Sequence, residues 1–424
     1  MIQKVKKSIF VLMLLSPFCM NAQSKDTLSL QYFYQHAQAN YPITRQKDLM
    51  TQATDIKIKN LTKAYFPQVY LNGQAGYQSD VTSVQIPMIK LPGLDKDSYK
   101  ATLDVSQTLW DGGASSAQKH LEQAGLQVDQ QGVEVEIIRL KERINQLFFS
   151  VLLFQENERL LLNAQEQIRA QLKKVEAGVE GDILLSSNAD VLKAELLKSD
   201  QQMIEIRMGK NTALEMLGEL SGISIPAGSA CGIPDLAVNT GTEENNRPEM
   251  KLYDLQMVKL DASKKIADTR LMPKISAYGQ LGYGRPGLNM LSNEFNDWYM
   301  FGAKVSWNVW NWNLSKNEKK IADLQKEIVT TQKETFIKNV NVNARKDIGD
   351  IEKYSQLIEK DLEITALRKK ITQTSSAQLE NGVITATEYI TELNNELQAA
   401  LNLELHKIQK QMAKISFLSD TGKL

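Results

Sequence analysis

The chain has 424 residues, 42% of them hydrophobic and 24% charged, and its 50 basic side chains balance its 50 acidic ones. A formal net charge of zero gives no electrostatic reason to expect a nucleic acid or a strongly acidic partner. Cys19 and Cys231 are the only cysteines, which excludes a disulfide-rich small fold.

The first 22 residues have the pattern of a secretory signal. An apolar run at residues 9–20 follows three lysines and precedes a small residue at the expected cleavage position: Lys4, Lys6, Lys7 and Ala22. The run is shorter than the roughly 20 apolar residues that a membrane-spanning helix needs. Residues 16–18, Ser-Pro-Phe, do not resemble a lipidation box before Cys19, so a lipid anchor is the weaker interpretation.

The rest of the chain repeats itself. At an offset of 206 residues, Asn40, Pro42, Asp48, Pro67, Gly73 and Tyr77 recur as Asn246, Pro248, Asp254, Pro273, Gly279 and Tyr283. At an offset of 200, Ser106 and Trp110 recur as Ser306 and Trp310. We therefore expect two copies of one structural unit, at 23–222 and 243–424, joined by a connector at 223–242.

In the first unit the sequence predicts a helix at about 43–64, strands at about 67–79 and 98–110, and helices at about 114–177 and 184–220. The strands show strict period-two alternation, in which Val69, Leu71, Leu103 and Val105 alternate with polar neighbours. Such alternation is typical of a transmembrane β-strand with its apolar side toward lipid. A soluble sheet with one wet face gives the same pattern.

The second unit predicts a helix at about 248–271, strands at about 273–285 and 298–310, and helices at about 314–380 and 386–418. The apolar rows of these two strands contain Ile275, Leu281, Phe301, Val305 and Trp307. We interpret them, together with the apolar rows of the first unit, as the face toward lipid.

The helical regions are unusually long. No proline occurs between Pro92 and Pro226 or after Pro286, as long helices require. A helix of about 65 residues would reach on the order of 100 Å, and the 4-3-4 spacing of apolar residues after Ala117 marks a coiled-coil seam. Because each unit turns back near a glycine, Gly178 or Gly382, each predicts a long helical hairpin.

Tryptophan placement favours a membrane location. All five lie in or beside the second strand of a pair, and we expect four of them at the membrane interfaces, where aromatic rings collect: Trp110, Trp298, Trp310 and Trp312. Four strands cannot close a bacterial barrel, which needs about eight, and open sheet edges are not viable in lipid. Several copies must therefore contribute strands, and three copies would give twelve.

The order and spacing of these features resemble the TolC family of outer-membrane efflux and secretion ducts. The resemblance rests on the tandem strand–strand–hairpin unit and on three segments, Asn-Arg-Pro-Glu at 246–249, Leu-Met-Pro-Lys-Ile at 271–275 and the turn at 381–388. It implies a membrane α+β fold in which a homotrimer forms a 12-stranded β-barrel continued by a 12-helix periplasmic α-barrel. It also implies a location in the outer membrane of a Gram-negative bacterium, surrounded by lipid.

The same resemblance implies a passive channel rather than an enzyme, which serves drug or metal efflux or type I secretion. A periplasmic adaptor protein and an inner-membrane transporter would be its partners. The adaptor-docking tip is expected at Gly178 and Val179 in the first unit, in a longer turn than that of the second unit, and at Gly382, Val383, Ile384 and Thr385 in the second. Ile384 stands where the family is expected to have a basic residue, so no salt-bridged latch is predicted. Asp190 and Glu388 occupy roughly matching places past the turns and are expected at the periplasmic constriction.

Other motifs predict no site. Residues 282–287 fit G-x-G-x-x-G, but Pro286 and a polar loop follow where a dinucleotide site needs a helix. His36, His120 and His406 have no cysteine or carboxylate at ligand spacing, so neither a metal nor a cofactor is expected. The alternative function is that of a periplasmic coiled-coil scaffold or a surface adhesin, whose strands would form a soluble β domain.

Overall fold

The computed structural model describes residues 27–81, 95–238 and 246–424. The predicted signal at 1–22, with Cys19, and the last residues of the predicted connector lie outside these ranges. Within them the helices and strands are α1 Leu30–Asn40, a 3₁₀ turn Pro42–Arg45, α2 Gln46–Lys63, β1 Gln68–Tyr77, β2 Asp97–Trp110, α3 Ala114–Glu180, α4 Ser186–Ser221, α5 Pro248–Thr269, β3 Lys274–Arg285, β4 Asn296–Ser306, α6 Leu314–Glu380 and α7 Ala386–Asp420.

The order helix, strand, strand, long helix, helix occurs twice. Two places differ from the sequence prediction. β4 ends at Ser306 instead of near 310, because the chain leaves the sheet to reach left-handed backbone at Trp312 and Asn313, with φ of 53° and 61°. α1 was not among the predicted elements, although its buried residues follow helical spacing: Leu30, Phe33, Tyr34 and Ala37.

The four strands form one antiparallel sheet in the order β1-β2-β3-β4. Leu103 of β2 lies opposite Leu71 of β1 and opposite Leu281 of β3. A bulge between Thr108 and Trp110 shifts the register at one end of β2. In the described residues β1 and β4 have no further partner, so both edges of the sheet are open.

The long helices continue from the sheet. α3 and α6 each have 67 residues and span about 100 Å. The helices that adjoin the sheet lie side by side in the same order as the strands they adjoin: α2 contacts α3, α3 contacts α5 and α5 contacts α6. Ion pairs join α5 to α6 at seven-residue intervals, as expected for a coiled coil: Asp254–Lys333, Asp261–Lys326 and Asp268–Lys319. None of the helices in the described ranges is long and apolar enough to cross a membrane.

Apolar side chains pack in two separate cores. The middle core joins α1, the centre of α3 and the ends of α4 and α7, and includes Phe33, Phe148 and Leu217, which are fully buried. Cys231 belongs to it, and burial raises the pKa of its thiol to about 12. A buried cysteine in such a core acts as a small apolar filler. The tip core lies at the hairpin turns, where both hairpins meet: Ile168, Val175, Ala189, Leu192, Leu379, Ala386, Tyr389, Ile390 and Leu393.

Candidate functional site

The sheet has an apolar face that no helix of the described residues covers. Its register brings the expected lipid-facing residues of all four strands onto one side: Val69, Leu71, Leu103, Val105, Ile275, Leu281, Phe301 and Val305. Leu71 is 81% exposed and Phe301 79%. No helix packs against the sheet within the described residues. Contiguous exposed apolar surfaces of this kind mark binding to a membrane or to another protein.

The opposite face of the sheet is polar. Asp104 accepts hydrogen bonds from the side chains of Asn72, Thr102 and Gln280, so one carboxylate links β1, β2 and β3. The other charged side chains on this face are Lys100, Lys274 and Lys304. The sheet therefore has one apolar face and one polar face.

Four tryptophans lie at the end of the sheet from which the helices leave. Trp110 lies opposite Ile275 on the apolar side. Trp307 follows β4 and donates a hydrogen bond from its indole nitrogen to the Leu271 carbonyl, at 2.9 Å. Trp310 and Trp312 contact each other edge to face, with ring centroids 6.0 Å apart. These four tryptophans therefore gather at one end of the sheet, and the placement of Trp110, Trp310 and Trp312 at a membrane interface stays a prediction.

The position of Trp298 differs from the prediction, which placed it at a membrane interface. It alternates with Tyr299 in β4 and so lies on the polar face, not on the face toward lipid. Its ring lies across Gly282 of β3, where an added Cβ would come within 2.2 Å of it. Because the ring covers a glycine on the polar side, Trp298 is not an interfacial residue of the apolar face.

At the far end, the two hairpins turn in the same way. Residues 181–185 join α3 to α4, and residues 381–385 join α6 to α7. The second residue of each turn has left-handed backbone, with φ of 57° at Asp182 and 69° at Gly382. The expectation of a longer first turn is therefore wrong, and the two turns match at an offset of 200.

Gly178 and Val179 do not form the first turn. Both lie in the last helical turn of α3, which continues to Glu180 because a single glycine costs a helix only about 1 kcal/mol. Val179 packs against the tip core. A Cβ on Gly178 would come within 2.8 Å of Leu184 Cδ1, so this position is covered as well.

The exposed apolar residues of the turns are Ile183, Leu185 and Val383, which are 72%, 73% and 69% exposed. Sequence reasoning missed the first two because it placed the turn at Gly178. The offset of 200 between Trp110 and Trp310, continued along the helices, would have matched Ile183 with Val383. Ile384 is partly buried against the tip core, and Thr385 caps α7.

Glu388 does not match Asp190. At an offset of 200 its counterpart is Asn188, whose side-chain oxygen accepts a hydrogen bond from the Ala386 N–H at 2.9 Å. Glu388 forms a capping box with Thr385, accepting from its N–H at 2.7 Å and from its hydroxyl at 2.9 Å. These hydrogen bonds hold the pKa of Glu388 below its ordinary value. Asp190 is exposed on α4, and the placement of Asp190 and Glu388 at a periplasmic constriction stays a prediction.

A polar cluster lies beside the middle core. Arg247, of the Asn-Arg-Pro-Glu segment, is buried and donates to both carboxylate oxygens of Glu249, at 2.6 and 3.0 Å, and to Glu142 at 3.1 Å. With Asp347 and Asp420 it lines a cavity of about 410 Å³. In the described ranges no group of three or more His, Cys, Asp or Glu side chains is arranged to hold a metal ion.

The open four-stranded sheet with two long hairpins is the fold of the TolC-family outer-membrane channels, which confirms the predicted resemblance at the level of the fold. No protein-family model and no curated protein sequence matches the chain. The CmeC outer membrane channel of Campylobacter jejuni is 14% identical, with a TM-score of 0.68 over 93% of this chain and 85% of that one. The outer membrane protein VceC of Vibrio cholerae is 12% identical, with a TM-score of 0.68 over 93% and 96%. CusC is 13% identical, with a TM-score of 0.70 over 92% and 91%.

Proposed function

We propose that three copies of this chain form a passive channel in the outer membrane of a Gram-negative bacterium. The channel conducts solutes that a periplasmic adaptor and an inner-membrane transporter deliver to its hairpin end. One observation carries this proposal: each flank of the protomer has a side that no other described part of the chain covers. One flank consists of β1, α2 and α4, and the other consists of β4 and α6.

The sheet supports closure between copies. Its apolar face is exposed, and its edge strands β1 and β4 have free N–H and C=O groups, which are not viable in lipid. Pairing β4 of one copy with β1 of the next removes every edge. Twelve strands from three copies are an even number within the range of bacterial barrels. A soluble adhesin or scaffold would instead have to bury the apolar face, and nothing in the described residues does so.

The helices support the same closure. α6 exposes apolar side chains on its outer flank, among them Leu324, Ile364 and Ile371, which are 49%, 46% and 42% exposed. α4 exposes Leu197 and Ile204, 68% and 64% exposed, on the opposite flank. If the α6 flank of each copy contacts the α4 flank of the next, the copies form a ring when the rotation closes. Such a ring covers the exposed apolar side chains of both flanks.

The repeat also predicts the register between copies. Inside the chain, Leu103 of β2 lies opposite Leu281 of β3. The offsets of 200 and 206 carry this pair onto Ala303 of one copy and Ala75 of the next. Cysteines at Ala75 and Ala303, in a Cys231→Ala background, should therefore yield a disulfide-linked trimer on denaturing gels, which reductant converts to monomer.

A matched control pairs Ala75→Cys with Lys304→Cys. Lys304 neighbours Ala303 but lies on the opposite face of β4, so this pair should remain unlinked. Monomers from both variants would refute the proposed assembly. Equal cross-linking of both variants would refute the register.

The hairpin end is the proposed docking surface. Ile183, Leu185 and Val383 lie about 100 Å from the sheet along α3 and α6. They are exposed at the two turns that border the tip core. Gly382 keeps the second turn free of a side chain at its left-handed position. Adaptor binding would cover these three side chains.

A further inference from the structure

The charged side chains on the polar face of the sheet are mostly basic. Lys100, Lys274 and Lys304 are exposed there, and within the described part of the chain none of them makes an ion pair. Asp104 is the one acidic side chain that the observed register places on this face. The described strands of each protomer therefore present three positive charges and one negative charge on this side of the sheet.

Asp104 does not neutralise the lysines. Its carboxylate already accepts from Asn72, Thr102 and Gln280. It lies four residues along β2 from Lys100, which is about 13 Å at roughly 3.3 Å per residue. That separation exceeds the Debye length of about 8 Å at physiological ionic strength. Asp104 therefore ties the strands together, while the lysine charges remain available to solutes.

The lysines lie at successive levels of the sheet. Lys274 is opposite Ser306 at the helical end, and Lys304 is opposite Ser276, two residues further in. Lys100 lies opposite Gly284, near the other end. With threefold symmetry each level becomes a ring of three ammonium groups. A solute that crosses the barrel would pass all three rings.

Two of the aromatic side chains on this face lie against the sheet. Trp298 covers Gly282, and the Tyr278 ring covers Gly302, where an added Cβ would come within 2.7 Å of the Tyr278 hydroxyl. Each aromatic ring thus occupies the space that a glycine leaves on the neighbouring strand. The lysine side chains, by contrast, are exposed on this face.

We propose that this lysine-lined face makes the barrel part of the duct favour anions, so that its cargo includes solutes with carboxylate or phosphate groups. Rings of lysine or arginine create anion pores because they attract anions and repel cations at close range. This inference rests on the proposed trimeric channel, in which the polar face lines the lumen.

The test uses the purified trimer in planar bilayers with a KCl gradient. The reversal potential gives the permeability ratio of chloride to potassium. We expect the wild type to conduct, and the triple variant Lys100→Gln, Lys274→Gln, Lys304→Gln to lower this ratio several-fold. The charge-conserving triple Lys→Arg variant should keep the wild-type ratio, because it retains the rings and changes only the shape of the side chain.

The outcomes separate the two proposals. A conducting trimer whose permeability ratio is the same in the Lys→Gln and Lys→Arg variants overturns the anion preference and leaves the channel intact. Absence of both trimer and conductance in the wild type overturns the proposed channel, and the anion preference with it. A several-fold fall in the Lys→Gln variant alone supports both.

Discussion

α3 and α6 occupy equivalent places in the two halves of the chain and have the same length, yet their surroundings differ. α3 packs against α2, α4, α5 and α7 and is buried at intervals along its whole length. α6 packs mainly against α5 and α7, and its only buried apolar residues are Ala322, Val340 and Leu379. The second half of the fold therefore lacks the neighbours that the first half has.

Equivalent positions show what is missing. Ala124, Ala164 and Gln171 of α3 are buried, at 7%, 6% and 2% exposed. At an offset of 200 they become Leu324, Ile364 and Ile371 of α6, which are apolar and exposed. These larger apolar residues stand at positions where the first half is covered, and the proposed contact with a neighbouring copy would cover them. In the proposed trimer the exposed side of α6 is therefore an interface between copies.

The largest effect is expected from charges at the exposed apolar positions of α6. Ile364→Asp with Ile371→Asp would place two charges in the interface between copies, and an unpaired buried charge costs several kcal/mol. We expect the trimer fraction to fall at least about tenfold, since ~1.4 kcal/mol already gives that factor. Native mass measurement in detergent reports the trimer, and circular dichroism the helical content.

The matched control is Lys369→Asp with Gln373→Asp, at exposed positions of the same stretch of α6. It should assemble like the wild type. A normal trimer in the Ile364 and Ile371 variant would show that no neighbouring copy covers this side of α6. The difference in burial between α3 and α6 would then not reflect an interface between copies.

The next prediction contrasts the two faces of β4. Phe301→Arg, in the middle of the apolar face, should prevent assembly, because arginine near the bilayer midplane costs roughly 2–4 kcal/mol and roughly 0–1 near the interfaces. Val305→Arg, one residue from the end of β4, should therefore be milder. Met300→Arg lies on the polar face and should insert. Urea titration of the outer-membrane fraction ranks the three variants by how stably they are inserted. If arginine at Phe301 and arginine at Met300 were tolerated equally, the assigned faces would be wrong.

The two hairpin tips give a smaller, functional contrast. The first tip exposes Ile183 and Leu185, whereas the second exposes Val383 and uses Thr385 as a helix cap. We expect Ile183→Glu with Leu185→Glu to reduce export about tenfold, as loss of ~1.4 kcal/mol of binding would, and Val383→Glu to reduce it less. Dye extrusion by cells that contain the adaptor and transporter measures export, and an unchanged trimer level is the control. Normal extrusion by the first variant would place the docking surface elsewhere.

Much of the fold could be predicted from the sequence, because period-two alternation and the internal offsets directly reflect strands and repeated units. The first hairpin turn could not be located from Gly178, since packing of Leu184 and Val179 decides where α3 ends. The contact of α1 with the middle core depends on residues far apart in the chain. The role of Glu388 was readable, because the spacing from Thr385 is the signature of a capping box.

The smallest predicted effect concerns two positions that are apolar in the first half of the chain and acidic in the second. Leu147 and Leu220 belong to the middle core, while their counterparts at an offset of 200 are Asp347 and Asp420. Burial and the charge of Asp347 raise the pKa of Asp420 from 3.8 to about 6, and burial also raises the pKa of Asp347. Glu142, Arg247 and Lys346 face the same cavity.

A raised folded-state pKa means that the protonated carboxyl is the better accommodated form. Asp420 therefore contributes stability that is fully present below about pH 3.8 and is lost as the pH rises through about 6. We expect Asp420→Asn to raise the melting temperature by a few degrees at pH 7.5 and to leave it unchanged near pH 4, measured by calorimetry in detergent. Asp350→Asn is the opposite control, because Lys353 holds the pKa of Asp350 below its ordinary value. That variant should lose a little stability at pH 7.5 and none at low pH. If Asp420→Asn destabilised the protein at pH 7.5, the carboxylate would be the form that the cluster binds, and Arg247 would outweigh the effect of burial.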